Sequence, residues 1–205
     1  MLTLVEEEFA GTDGNTFYLR PRALQIGFAY LRSSDLASLC QSTLEKFSSE
    51  NGVTASAGVM TDGEVMYLAR SVKQSPVTIN IEVGMKVPLY RSSIGRVLLA
   101  SLDPAAVTKY LAGIRADRRT NKSIVDQAGL EKAIAEVRKK GYAVVDEELE
   151  MGLRTIAVPV VNASGITVAS INAATIGSGA THETLVQKYL QPLLKAGREL
   201  SLALK

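Results

Sequence analysis

The chain has 205 residues, 46% of them hydrophobic, and its 23 basic and 21 acidic residues leave a formal charge of +2. That is enough chain for one ordinary domain with an appendage, or for two small domains. The near-neutral balance excludes a global attraction to nucleic acid or anionic membrane. The lone cysteine, Cys40, excludes an internal disulfide and points to a reducing, cytoplasmic compartment.

The first residues, Met1–Glu8, read as the tail of a helix, and their three glutamates are the wrong sign for a signal peptide. Phe9–Leu19 reads as a hairpin around Asp13-Gly14, because glycine and asparagine tolerate positive φ. Pro21 suits a first helical turn, where its missing N–H costs nothing. Ala23, Leu24, Gly27, Phe28, Tyr30 and Leu31 give that helix an apolar face, and Ser33 or Ser34 ends it. Asp35–Glu50 repeats Leu36, Leu39, Cys40, Leu44 and Phe47 at helical spacing. Val53–Met60 and Glu64–Arg70 form a second hairpin through Asp62-Gly63, with Val65, Tyr67 and Ala69 on one face. Val77–Val83 alternates as a further strand and Lys86–Tyr90 is extended.

Helices are predicted over Ser92–Ala100, from Asp103-Pro104 to about Leu111, and over Leu130–Lys139 as far as Gly141. Between the last two, Ile114–Lys122 reads as a basic, solvated loop. Tyr142–Val145, Leu153–Val161 and Ile166–Ala174 are strands, with a tight turn at Asn162–Gly165. Thr184–Leu204 closes the chain as a helix kinked at Pro192. Helices at both ends of this α+β domain should stack on one sheet face. No run of eighteen apolar residues is present, so no membrane-spanning helix is expected.

Few groups here suit catalysis. His182 is the only histidine, which argues against a triad or a two-histidine metal site. Gly177-Ser178-Gly179 lacks the strand–turn–helix setting of a nucleotide site. Asp146, Glu147, Glu148 and Glu150 lie in the stretch VDEELEMGLRTIAVPVV (145–161), but adjacent residues on a turn point in different directions. A hydrolase built on them needs a second catalytic group that the sequence does not show. The expectation is therefore no enzyme, no catalytic residue, no metal and no cofactor.

Two features suit binding. Unpaired amides at the start of the helix at Ser92–Ala100 attract a carboxylate. There, Ser92 and Ser93 offer hydroxyls and Gly95 leaves room for a ligand. The alternative is a serine N-cap with Gly95 packed against a strand. Thr155 and Asn172 stand out in apolar strands, and a buried asparagine must find partners in backbone, ligand or water. Arg91 ranks above Arg154 as a carboxylate partner, since Arg154 alternates with Leu153 and Thr155 and should face away from them.

Five segments then carry a resemblance: FYLRPRALQIGFAYLRSSDL (17–36), EVMYLAR (64–70), SSIGRVLLASL (92–102), GYAVVDEELEMGLRTIAVPV (141–160) and ASINAA (169–174). In order and spacing they resemble the IclR family of bacterial transcriptional regulators, over nearly the whole chain. The first segment looks most like the branch governing aromatic-acid catabolism through protocatechuate and the β-ketoadipate pathway. The resemblance implies a GAF-like effector-binding and oligomerisation domain at 34–205, with a curved antiparallel sheet flanked by helices. A linker helix at 20–33 and a winged-helix remnant at 1–19 would precede it. Met1–Glu8 would end the recognition helix and Phe9–Leu19 would be the wing, the rest of the DNA-reading domain lying outside this sequence.

By resemblance, ligand contacts fall on Ser93, Ile94, Leu153, Thr155, Asn172 and Ala174, and the pocket's acidic position on Val145, with Asp146 adjacent. Arg91, Ser92 and Gly95 join them from the residue reading. The implied function is sensing a small organic acid, aromatic acids included, with DNA affinity altered through the linker of a homodimer or dimer of dimers. The alternative is an oligomerisation module without a ligand.

Overall fold

A computed structural model describes residues 1–73, 81–177 and 181–204, and the chain divides into two compact units, Met1–Ser38 and Leu39–Lys205. In the first unit, α1 (Leu2–Glu6) leads into the antiparallel hairpin of β1 (Ala10–Thr12) and β2 (Phe17–Leu19). Asp13 shapes the turn: its Oδ1 accepts the N–H groups of Asn15 at 2.9 Å and Thr16 at 2.7 Å. After a 3-10 turn at Pro21–Ala23, α2 (Leu24–Ser33) exposes Leu24, Ile26 and Phe28. Ser34 Oγ then accepts the Ala37 N–H at 3.3 Å and starts α3 (Asp35–Asn51), a helix whose residues belong to both units.

The second unit is built on a six-stranded, wholly antiparallel sheet curled into a half-barrel. Its strands are β3 (Thr54–Thr61), β4 (Glu64–Ser71), β5 (Lys86–Pro88), β6 (Ala143–Asp146), β7 (Leu153–Val161) and β8 (Thr167–Ile176), in the order β5-β4-β3-β8-β7-β6. Asp62 and Gly63, both at positive φ, close the β3–β4 hairpin as the sequence predicts. Asn162 Oδ1 closes β7–β8 by accepting the N–H groups of Ser164 and Ile166. Two register shifts, at Ala57/Gly58 and Val160/Val161, bend the sheet.

Helices cover both faces. One face carries α4 (Ser93–Ser101), α5 (Pro104–Ala112) and α6 (Gln127–Lys140). Their Ile94, Val97, Leu98, Leu111, Leu130 and Ile134 share one core with Val65, Tyr67, Ala143 and Ala157 of the sheet. On β7 and β8 packs α7 (His182–Ala203), which flanks a groove together with α3, so the two end helices lie side by side. Side-chain oxygens of Ser92, Asp103, Asp126 and Thr181 cap α4, α5, α6 and α7.

Several expected boundaries move. The cap at Asp126 starts α6 at Gln127, three residues before the expected Leu130. Thr181 likewise starts α7 at His182. Of Lys86–Tyr90 only Lys86–Pro88 is strand, because Leu89–Arg91 turns into a 3-10 helix that buries Leu89 and Tyr90. Most of the expected strand at Val77–Val83 lies outside the described residues, and Ile81–Val83 is not strand. The Gly177-Ser178-Gly179 connection lies mostly outside them as well.

Candidate functional site

Register across the sheet assembles two rows of side chains, short ones except for an arginine at the end of the second. Val145, Thr155, Ala174 and Thr54 stand opposite one another on β6, β7, β8 and β3. Beside them run Ala143, Ala157, Asn172, Ser56 and, on β4, Arg70. Opposed residues in a ladder share a face, and Ala143 and Ala157 place this face on the α4 side. Because most of the side chains are short, they leave a hollow beside the start of α4. It is a cavity of about 380 Å³, lined by Ser56, Thr155, Asn172 and Ala174 and walled by Tyr67, Ile81, Leu149, Leu153 and Tyr189. That volume falls in the range of small-molecule sites.

The cations of this lining are its most informative part. Arg70, Lys73 and Arg91 line the cavity, and no aspartate or glutamate does among the described residues. Arg70 reaches it through a β-bulge. Ala57 pairs with Ala69 and Gly58 with Tyr67, so Leu68 is an extra residue. The bulge inverts the alternation and turns Tyr67 and Arg70, three apart, to one side. Gln41 of α3 secures this stretch, donating to the Arg70 carbonyl at 3.3 Å and accepting the Arg70 N–H at 3.2 Å. Burial pushes the Tyr67 hydroxyl up to about 12, so this wall of the cavity stays a neutral phenol.

Asn172 is oriented by the backbone. Its Oδ1 accepts the Ser56 N–H at 3.1 Å, which leaves the amide NH₂ as its remaining hydrogen-bonding group. Arg91 is held at its tip: Nη2 donates to the Tyr90 hydroxyl at 2.9 Å and pairs with Asp117. Its Nε is buried without a hydrogen-bond partner among the described residues.

Six of the expected site residues line this one cavity: Arg91, Ser92, Leu153, Thr155, Asn172 and Ala174. Ser93, Ile94, Gly95 and Asp146 do not. Ser92 Oγ accepts the Gly95 N–H at 3.0 Å, so one of the amides expected to greet a ligand is already capped. A methyl on Gly95 would meet the Leu89 carbonyl oxygen at 2.1 Å. This glycine therefore clears space for the preceding 3-10 turn, which corrects its reading as room for a ligand. Ser93 and Ile94 are fully buried, and Ser93 Oγ has no hydrogen-bond partner among the described residues.

Asp146 stands opposite Arg154 in the ladder, in the row next to that of Val145, and forms an ion pair with Arg154 Nε at 2.6 Å. One step along a strand reverses the face. Val145 therefore lines the cavity while Asp146 and Arg154 do not. Tyr67 lines the cavity, whereas Met60 is exposed outside it.

The acidic turn is tied to its neighbours. Glu148 is buried and receives Arg96 Nη1 at 2.7 Å and Nη2 at 2.6 Å, while Arg96 Nε donates to the Tyr90 carbonyl at 2.9 Å. Glu147, at a φ of 57°, pairs with Lys122 at 2.8 Å and Arg154 at 2.6 Å. Hydrogen bonding from Lys122 holds its carboxyl below the usual carboxylate range, with further attraction from Arg154. These ties fix the turn that carries Leu149 and Leu153 over the cavity. Among the described residues no group of three or more metal-ligating side chains is positioned to hold an ion. No helix there is long and apolar enough to cross a membrane.

Comparison with known proteins places this architecture. Residues 28–202 match the model of the bacterial transcriptional regulator IclR C-terminal family. The chain is 37% identical over 199 residues to the Pca regulon regulatory protein of Pseudomonas putida, covering 97% of this chain and 68% of the relative. It is 30% identical to the p-hydroxybenzoate hydroxylase transcriptional activator of Acinetobacter baylyi, covering 94% and 73%. A crystal structure of a transcriptional regulator from Rhodococcus sp. RHA1 superposes with a TM-score of 0.87 at 34% identity, over 99% of this chain and 81% of that one. A double mutant of the PobR inducer-binding domain from Acinetobacter, in complex with 3-hydroxybenzoic acid, superposes with a TM-score of 0.76 at 28% identity, over 82% and 98%. The chain belongs to the IclR family of bacterial transcriptional regulators.

Proposed function

We propose that the unit Leu39–Lys205 senses a small organic acid for a DNA-binding regulator, and that the cavity beside α4 is the effector site. One observation carries this reading: Arg70, Lys73 and Arg91 line a cavity whose described lining holds no carboxylate. In such a setting an entering carboxylate gains charge-assisted hydrogen bonds without meeting a like charge. Asn172 NH₂, Thr155 and Ser56 offer hydrogen bonds to its polar substituents, and Tyr67, Tyr189 and Leu153 offer apolar walls. Aromatic acids are the first candidates, because the PobR domain named above is a hydroxybenzoic acid complex. Binding favours one arrangement of the cavity walls, and α3, shared by both units, carries the change toward the DNA-reading part of the regulator. No reaction is assigned, since each acid from Asp146 to Glu148 is engaged by a cation.

The test is calorimetry on the full chain with protocatechuate, 3- and 4-hydroxybenzoate and short keto acids. Saturable heat and a rise in Tm with at least one acid are expected, both reduced by Arg70→Gln. Absence of heat with every acid defeats the reading.

A second reading, association through α2, is favoured by the exposure of Leu24, Ile26 and Phe28. Sedimentation should then show a dimer or dimer of dimers that Phe28→Glu weakens. A chain that sediments as a monomer overturns it.

A further inference from the structure

Arg91 lines two hollows. One is the cavity just described. The other is an open cleft on the outer surface, which Asp117 and Glu64 also line. The guanidinium meets the carboxylate of Asp117 in that cleft, and Tyr90 seals the junction. Its hydroxyl donates to Asp117 Oδ1 at 3.0 Å and accepts the Asp117 N–H at 3.3 Å. The Asp117 side chain is 55% exposed, while that of Arg91 is only 14% exposed. A nearly buried cation is thus neutralised from outside by a half-solvated carboxylate, while its Nε stays buried with no partner among the described residues.

We infer that Asp117 is an internal competitor for the effector carboxylate, holding Arg91 until an acid in the cavity takes its place. This deepens the sensor reading and rests on it. An acid anion from the cavity side and Asp117 from the cleft side present the same chemistry to one guanidinium, so capture by the first weakens the second. The consequence travels along the chain. Beyond Asp117, Thr120 Oγ1 donates to the Glu147 carbonyl and Ser123 Oγ to the Glu148 carbonyl, each at 2.7 Å. The segment from Asp117 to Ser123 therefore joins Arg91, on one side of the cavity, to the acidic turn that carries Leu149 over it. Losing the Arg91 contact leaves that end of the strap tied by Tyr90 alone, which loosens it and makes effector occupancy visible outside the cavity.

The test compares the full chain with its Asp117→Asn and Glu64→Gln variants, using calorimetry with the acids named above. Asparagine removes the charge but keeps a carbonyl oxygen for the Tyr90 hydroxyl. Asp117→Asn should bind the acid about fivefold more tightly, the factor set by a partly exposed ion pair. Glu64→Gln, a control in the same cleft, should leave affinity unchanged. Hydrogen exchange supplies the second readout. Saturating acid should speed exchange of the 117–122 amides in the parent chain, and Asp117→Asn should show that faster exchange without acid.

If the parent binds acid and Asp117→Asn binds no more tightly, the competitor is refuted while the sensor stands. Equal gains in both variants refute it too, since a general field then explains the affinity. A parent that binds none of the acids removes both readings.

Discussion

Arg91 and Arg96 lie five residues apart and have opposite fates. Arg96 is 3% exposed and spends its donors on a bidentate pair with buried Glu148 and on the Tyr90 carbonyl. Arg91 pairs with an exposed aspartate and keeps a buried Nε unpartnered among the described residues. The first is a fixed strut between α4 and the acidic turn, and the second is, on the sensor reading proposed above, the one that a ligand would engage. The difference lies in the partners: a carboxylate inside the fold must be answered permanently, whereas one in water can be exchanged at little cost.

The largest expected effect tests the strut. Glu148→Ala leaves Arg96 charged and unpaired in the interior, which should cost about 3–5 kcal/mol of stability. Urea unfolding measures it. Replacing both partners, Arg96→Met with Glu148→Leu, should restore most of that loss, because two desolvated charges are then removed together. A single variant as stable as the parent would show that water reaches the pair and that the two arginines are less different than drawn.

Next in size is a change at the available side. Asn172→Asp keeps an oxygen to accept the Ser56 N–H but places a carboxylate in the cavity, where it competes for Arg70 and Arg91. Acid affinity should fall about ten- to a hundredfold, the scale of losing charge-assisted hydrogen bonds, while the fold is kept. Circular dichroism and calorimetry together read this out. Unchanged affinity in a folded variant would remove Asn172 and its neighbours from the site.

Much of this was legible in the sequence, and the failures have physical causes. The hairpin at Asp62-Gly63, the caps at Ser92 and Asp103 and the shared face of Leu153 and Thr155 follow from local rules of φ, capping and alternation, whereas Leu153 and Ala174 as site residues rest on the family resemblance. Arg70 was not legible, because strict alternation groups Val65, Tyr67 and Ala69, and the extra residue Leu68 breaks that period. Only the β3–β8 pairing brings Arg70 into the row of Asn172, across Ser56. Gly95 was misread because the atom that needs its space belongs to Leu89, in a stretch expected to be extended. The Arg96–Glu148 pair spans 52 residues. Its one local sign is an arginine set within the apolar run SSIGRVLLASL.

The smallest effect concerns the tie between the acidic turn and exposed Lys122. Glu147 has its carboxyl held low, first by hydrogen bonding from Lys122 and then by attraction to Arg154 and Lys122, against a desolvation penalty. Lys122 is raised in return, mainly by its hydrogen bonds to Glu147 and Asp146. A lowered acid stabilises the fold above its unfolded value, roughly 4.3, and that stability is lost as pH falls through the folded value. A raised lysine stabilises below its unfolded value, about 10.4, and that stability is lost as pH rises through the folded one. Their joint contribution should therefore be flat across neutral pH and fade at both ends. Lys122→Met should lower Tm near neutrality and lessen the acid-side and alkaline-side losses relative to the parent. An Lys122→Met curve parallel to the parent's at every pH would mean that Lys122 is merely solvated. The ion pairs of the acidic turn would then be those of Arg96 and Arg154 alone, beside the hydrogen bonds from Thr120 and Ser123, and the contrast between buried strut and exchangeable surface pair would rest on them.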